Sequence, residues 1–269
     1  MNPDFTAIDW SVLAPAFAAG LLVLATHVPL GIEVLRRGII FIDLAIAQIA
    51  ALGVISANLL GWEGDSLAVQ LCAALAAMAG ALLLTLAERL WPEMLEALIG
   101  LSFVLAASLG ILLLSGNPHG GEHLKDLLAG QILWVSPRQL TVAAVIAVLV
   151  LVLWFGRGAR LGRAGFYFLF SITVTISVQL VGVYLVFASL IAPAVATRGG
   201  AGESDVVPWR RLAAGYAIGA TGYAVGLIIS ALFDLPSGAA IVCAMCGLAM
   251  AAILLGSRGS LKYAATTRE

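Results

Sequence analysis

The sequence has little charge and little cysteine. Only 11% of its 269 residues are charged, whereas about a quarter of a typical soluble domain is charged. The formal net charge of -1 leaves no basic face for a nucleic acid and carries no information about partners. Three cysteines are too few, and odd in number, for a disulfide framework. Cys243 and Cys246 lie one helical turn apart inside an apolar run, where cysteine is expected to act as a small packing residue.

Signatures of common enzyme classes are also missing. The sequence contains no G-x-x-x-x-G-K-[ST] motif, so we do not expect the chain itself to hydrolyse ATP. It has neither H-E-x-x-H nor G-x-S-x-G, and no pair of carboxylates at helical spacing within one apolar run. The first ten residues, MNPDFTAIDW, are acidic where a cleavable signal peptide would be basic. The chain is therefore not expected to be an enzyme.

Long apolar runs dominate what remains. Apolar residues make up 62% of the chain, and the mean hydropathy of +1.06 is typical of a polytopic membrane protein. The eight runs are 11–33, 39–61, 67–88, 94–115, 139–156, 164–197, 210–232 and 236–256. The sixth has 34 residues, more than the roughly 25 that one tilted span needs. Either two short helices broken at Gly182 or one long tilted helix would explain it.

The distribution of basic residues favours nine crossings. With the N-terminus outside and the C-terminus inside, all of the 14 Lys and Arg residues except Lys125 and Arg138 lie inside. With eight crossings, nearly equal numbers of Lys and Arg residues lie inside and outside. The positive-inside rule therefore favours nine crossings. We therefore expect an all-α polytopic membrane protein of about 8–9 transmembrane helices. Residues 1–269 would form a single transmembrane domain in the cell inner or plasma membrane.

Two polar residues in the second run are candidate pathway residues. Asp43 lies about five residues into the run, and an ionisable residue inside a membrane span is costly and by default a functional candidate. Alternatively, Asp43 is hydrated near the inner surface or caps a helix. Gln48 follows five residues later, which is about 140° around an ideal helix, so the two share no face unless the helix is distorted.

The outer loop 116–138 holds a second candidate site. His119, Glu122 and His123 are ligand types that suit zinc or manganese. The loop is rich in glycine, so it is either a weak capture site or simply a solvated loop. The following stretch, LKDLLAGQILWV, is amphipathic and predicts a helix lying at the outer interface. The run 210–232 carries a face of four glycines (215, 219, 222 and 226) that permits close packing, within the chain or against a second copy.

Four stretches together resemble a known family. They are PLGIEVLRRGIIFIDLAIAQIAALG (29–53), LKDLLAGQILWVSPRQL (124–140), SVQLVGVYLVFASLIAPAVATR (177–198) and LFDLPSGAAIVCA (232–244). In order and spacing they resemble the permease subunit of metal-type ABC importers, the zinc, manganese and iron group. This resemblance implies a fold like that of cobalamin and metal importer permeases, with short broken helices. It also implies a second permease copy, a cytoplasmic ABC ATPase dimer and an extracytoplasmic metal-binding protein.

The sequence departs from that family in two places. Family members usually carry G-D-x-x-x-H in the second span. Aligned without gaps from Gly31 to Gly53, the His position holds Gln48 and the Asp position holds Leu44, with Asp43 one residue away. The segment that holds the cytoplasmic coupling helix in the family is shortened here to GRGARLGRAG. Its arginines, Arg157, Arg160 and Arg163, are the expected contacts with the ATPase.

The resemblance implies a transport subunit with no cofactor of its own. It would translocate a divalent transition metal ion, zinc or manganese, by alternating access driven by a separate ATPase. Asp43 and Gln48 would line the pathway, and His119, Glu122 and His123 would receive the ion. The alternative, motivated by the two departures, is a relative of the same fold that moves a different solute or works without an ATPase.

Overall fold

The structure is a computed structural model that describes residues 9–62, 66–115, 128, 130–157, 162–198 and 208–266. Within these ranges the chain forms nine α-helices, two 3-10 turns (Pro92–Met94 and Ile132–Trp134) and no strand. The helices are α1 (Trp10–Arg37), α2 (Ile42–Leu59), α3 (Leu67–Leu90), α4 (Leu95–Leu114), α5 (Pro137–Arg157), α6 (Gly162–Val181), α7 (Val183–Ala196), α8 (Trp209–Phe233) and α9 (Ser237–Thr266). The all-α prediction is confirmed.

Eight of the helical segments are long and apolar enough to cross a membrane, and α7 is shorter. The fourteen residues of α7 span about 21 Å, less than the roughly 30 Å of a hydrocarbon core. Most residues of α2 and α6 are buried, whereas α5 and α9 are largely exposed. The helices that carry the candidate pathway residues therefore lie at the centre of the bundle, and the exposed ones face the membrane.

The predicted break at Gly182 is confirmed. Helix α6 ends at Val181 and α7 begins at Val183, with Gly182 at φ 81° and ψ 164°, a conformation that side-chain-bearing residues avoid. Gly130, also at positive φ, packs directly against this break. A Cβ on Gly130 would lie 2.1 Å from the Val181 carbonyl oxygen, so only glycine fits.

The predicted interfacial helix over 124–135 is wrong from Gly130 onward, although Leu128 is helical. From Gly130 onward the chain forms the turn Ile132–Trp134 rather than an α-helix, and Ile132 is fully buried in the core. The positive φ of Gly130 ends any helix there. The end of the outer loop therefore inserts into the bundle and packs on α1 instead of lying on the surface.

The glycine face of α8 packs within the chain. Cβ atoms at Gly215 and Gly219 would collide with Val28 and Leu24 of α1, respectively. Gly222 and Gly226 meet the backbone of α9 in the same way. The missing side chains let two helices approach α8 closely from different sides, so intrachain packing accounts for this face.

Candidate functional site

Asp43 lies in the first turn of α2, at the centre of the bundle. Its side chain is completely buried, and neither carboxylate oxygen has a hydrogen-bond partner in the structure. The cap position of α2 is Phe41, which makes no side-chain cap, so Asp43 does not cap the helix. Because its side chain is fully buried, Asp43 is also not hydrated near the inner surface. A buried polar group without a partner costs about 1–3 kcal/mol, so its presence calls for a functional explanation.

Gln48 is also almost completely buried, at 7% exposure. Helix α2 is regular from Ile42 to Leu59, so the two side chains leave the helix about 140° apart and about 7.5 Å apart along its axis. Both are buried because α2 is packed on several sides, chiefly by α3 and α4 and also by α6 and α7. Asp43 and Gln48 therefore do not converge on one point, and the pathway role of each remains a prediction.

His27 is a third buried polar residue, in α1. Its Nδ1 lies 2.9 Å from the Val23 carbonyl oxygen. Because a carbonyl only accepts hydrogen bonds, the proton sits on Nδ1 and the Nε2 lone pair is left without a partner. A neutral imidazole with a free Nε2 lone pair is the form that binds transition metals. No pattern in the sequence marks His27 as functional, because its free Nε2 depends on a contact that only the fold creates.

No metal centre is assembled in the described part of the chain. Its His, Cys, Asp and Glu residues form no group of three that could hold an ion. His119, Glu122 and His123 lie outside the described residues, so their role as ion ligands remains a prediction.

An ionic cluster joins Glu33 to two arginines near the end of α1. The Glu33 carboxylate accepts from Arg37 Nε at 2.7 Å and pairs with Arg36 at 2.8 Å. The Arg37 guanidinium also stacks 4.2 Å above the ring of Phe166 in α6, a favourable cation–π contact. These contacts tie the end of α1 to the start of α6. We call this end of the bundle the inner end, since the positive-inside rule places it there.

Of the three arginines predicted to contact the ATPase, Arg163 is the one that the structure describes best. It lies at the start of α6, and its Nε is 3.5 Å from a carboxylate oxygen of Glu88 at the end of α3. Its side chain stays 67% exposed, so it remains accessible to a partner. Arg157 ends α5, and Arg160 lies outside the described residues. Only four residues separate α5 from α6 in the sequence.

A family model decides the classification. The chain matches the model of the ABC 3 transport family over residues 9–161 and 156–256. It belongs to the ABC 3 transport family. The resemblance to metal-type ABC permeases drawn from the sequence is thereby confirmed.

One curated relative is the probable iron transport system membrane protein of Haemophilus influenzae, 29% identical over 140 residues. That match covers 45% of this chain, and the chain spans about half the length of the relative, 50%.

Two solved structures share the fold. PsaBC from Streptococcus pneumoniae in complex with Fab has a TM-score of 0.71 at 20% identity, covering 90% of each chain. An inward-facing metal-chelate type ABC transporter has a TM-score of 0.68 at 18% identity, covering 90% of this chain and 85% of that one.

Proposed function

We propose that this chain is the membrane permease of an ABC importer for a divalent transition metal ion, zinc or manganese. Membership of the ABC 3 transport family carries the proposal. In support, the Haemophilus influenzae relative is named as a probable iron transport system membrane protein. The likeness to the two solved structures supports the fold alone.

Asp43 is the residue that gives the proposal a chemical basis. The carboxylate of Asp43 is fully buried and has no partner, so its oxygens are free to bind a cation. Carboxylate and amide oxygens suit manganese better than zinc. Asp43 and Gln48 would each contact the ion at a different stage of alternating access, since they do not converge on one point. His27 offers the imidazole that α2 lacks.

The proposal includes the partners implied by the family. A cytoplasmic ATPase dimer would dock at the inner end, where Arg163 is accessible, together with Arg157 and Arg160. An extracytoplasmic metal-binding protein would deliver the ion to the outer loop with His119, Glu122 and His123, and a second permease copy would complete the pathway. We place the complex in the inner or plasma membrane.

Metal accumulation in a deletion strain tests the proposal. Cells lacking this chain, grown under metal limitation, should accumulate less manganese, zinc or iron than the parent, as measured by elemental mass spectrometry. Re-expression of the chain should restore accumulation of one metal. Unchanged content of all three metals under limitation would refute the proposal.

The alternative is a permease-fold relative that moves another solute or works without an ATPase. It is favoured by two observations: Gln48 provides no imidazole, and only four residues link α5 to α6. Transport by the purified chain in vesicles that contain no ATPase would support this alternative.

A further inference from the structure

A crevice runs along the membrane-facing side of the bundle, between α3 and α5. Both helices pack against α6 but scarcely touch each other. Towards the inner end the crevice is a cavity of about 840 Å³ lined by apolar side chains such as Leu75, Leu82 and Leu149. These three leucines are each more than half exposed. In a bilayer such a space is filled by hydrocarbon, because water and polar groups gain nothing there.

The crevice continues to the opposite, outer end of the bundle, where its lining changes. A cavity of about 200 Å³ lies there, lined by Gln70, Ser136, Arg138, Gln139 and Gln179 among others. One face of α6 forms the floor of both cavities, with Phe168 and Ile172 in the apolar part and Ile176 and Gln179 in the polar part. The spacing of three or four residues keeps these positions on one side of the helix, so the two cavities lie in line along the same face of α6.

The outer end of the crevice has the chemistry of a phosphate site. Among the residues that the structure describes, no carboxylate pairs with the exposed Arg138 and no acidic side chain lines this cavity. Gln139 accepts through Oε1 from the backbone and hydroxyl of Ser136 at 2.8 and 2.9 Å, which aims its Nε2 donor elsewhere. A guanidinium beside amide donors is a favourable setting for phosphate oxygens.

The dimensions match one leaflet of a membrane. Eleven residues separate Phe168 from Gln179, which is about 16 Å along α6, and half of a hydrocarbon core is about 15 Å. A phosphate placed at Arg138 would therefore let its acyl chain reach Phe168. The apolar helix of a second copy could fill the lower part but would offer nothing to Arg138 and the glutamines.

We propose that this crevice is a binding site for an anionic phospholipid, with its phosphate at Arg138 and an acyl chain between α3 and α5. The site is independent of the transported solute and of any ATPase. It would hold a lipid against α6, the central helix that leads into the break at Gly182.

The first experiment measures phosphatidylglycerol binding to the full-length chain in mild detergent by native mass spectrometry. Arg138→Gln should weaken binding about fivefold or more, since one interfacial arginine contributes about that much to anionic-lipid affinity. Arg210→Gln, which removes an exposed arginine at the inner end, is the matched control and should leave binding unchanged. Equal binding to both variants and the unaltered chain would overturn the proposal.

The second experiment places the acyl chain. Phosphatidylglycerol with a photoreactive tail, incorporated with the protein into lipid discs, should crosslink to α3, α5 and α6 near Ile172. Ile172→Trp should suppress those crosslinks by filling the crevice, whereas Leu105→Trp on the exposed side of α4 should not. Crosslinks spread evenly over all exposed helices, or crevice residues that crosslink instead to a second copy of the chain, would contradict a lipid site.

Discussion

Replacing the Asp43 carboxylate by an amide separates a functional from a structural role. Asp43 is 0% exposed and both of its carboxylate oxygens lack partners, so in the folded protein it costs stability. An unsatisfied buried polar group costs about 1–3 kcal/mol, and a charged one costs more. Asp43→Asn keeps the shape of the side chain and removes the acid. It should therefore leave the melting temperature unchanged or raise it, by about 2–4 °C for each kcal/mol gained.

The same substitution should greatly reduce transport. If Asp43 contacts the ion, metal accumulation in a complemented deletion strain should fall at least about tenfold, which corresponds to roughly 1.4 kcal/mol of lost interaction. Thr85→Val is the matched control, because the buried Thr85 hydroxyl donates to the carbonyl of Ala81 in its own helix and Thr85 is not a candidate pathway residue. It should leave accumulation intact.

The opposite pattern would refute this reasoning. If Asp43→Asn lowers the melting temperature by several degrees and leaves metal accumulation unchanged, then Asp43 stabilises the fold through contacts that the structure does not show. Its burial would then say nothing about transport.

Three further substitutions test the packing that positions the site, each by thermal melting of the purified chain. Gly130→Ala should destabilise the fold by more than about 3 kcal/mol, since the added Cβ would lie 2.1 Å from a carbonyl oxygen. The control is Gly61→Ala. Gly61 is also at positive φ but has open space around it, so this change should cost only about 1–2 kcal/mol. Equal losses would disprove the close approach at the helix break. Tyr223→Phe should cost about 1 kcal/mol by removing the buried 2.9 Å hydrogen bond to Ser189, and an unchanged melting temperature would contradict that bond. Glu33→Gln should cost about 1–3 kcal/mol because two arginines lose a nearly buried counter-ion, and high salt should not reproduce the loss in the unaltered chain.

The features that follow from local sequence could be predicted. The sixth apolar run was too long for one helix, and Gly182 was the residue in it that tolerates a break, so the α6–α7 division follows from length and backbone freedom. The glycine spacing in α8 likewise predicted close packing, although the sequence left open whether the partner was another helix or another subunit. Asp43 stood out because an acid is rare inside an apolar run.

The features that join distant parts of the chain could not be predicted. Gly130 meets Val181, and Arg37 meets Phe166, across separations that no periodicity reveals. The apolar residues around Gly130 have helical spacing, which predicted an interfacial helix. Ile132 is instead buried in the core, and the chain after Gly130 therefore does not lie on the surface as a helix. The free Nε2 of His27 likewise depends on a hydrogen bond that only the fold defines.

The central claim is that this chain works as a permease driven by a separate ABC ATPase. Affinity purification of the chain from the membranes of its own host, in mild detergent and with all co-purifying proteins identified, tests it most directly. We predict a stoichiometric ABC ATPase, whose retention falls when Arg163, exposed at the inner end, is changed to Glu. If no ATPase co-purifies under conditions that keep a known ABC importer intact, the account of an ATP-driven importer is contradicted.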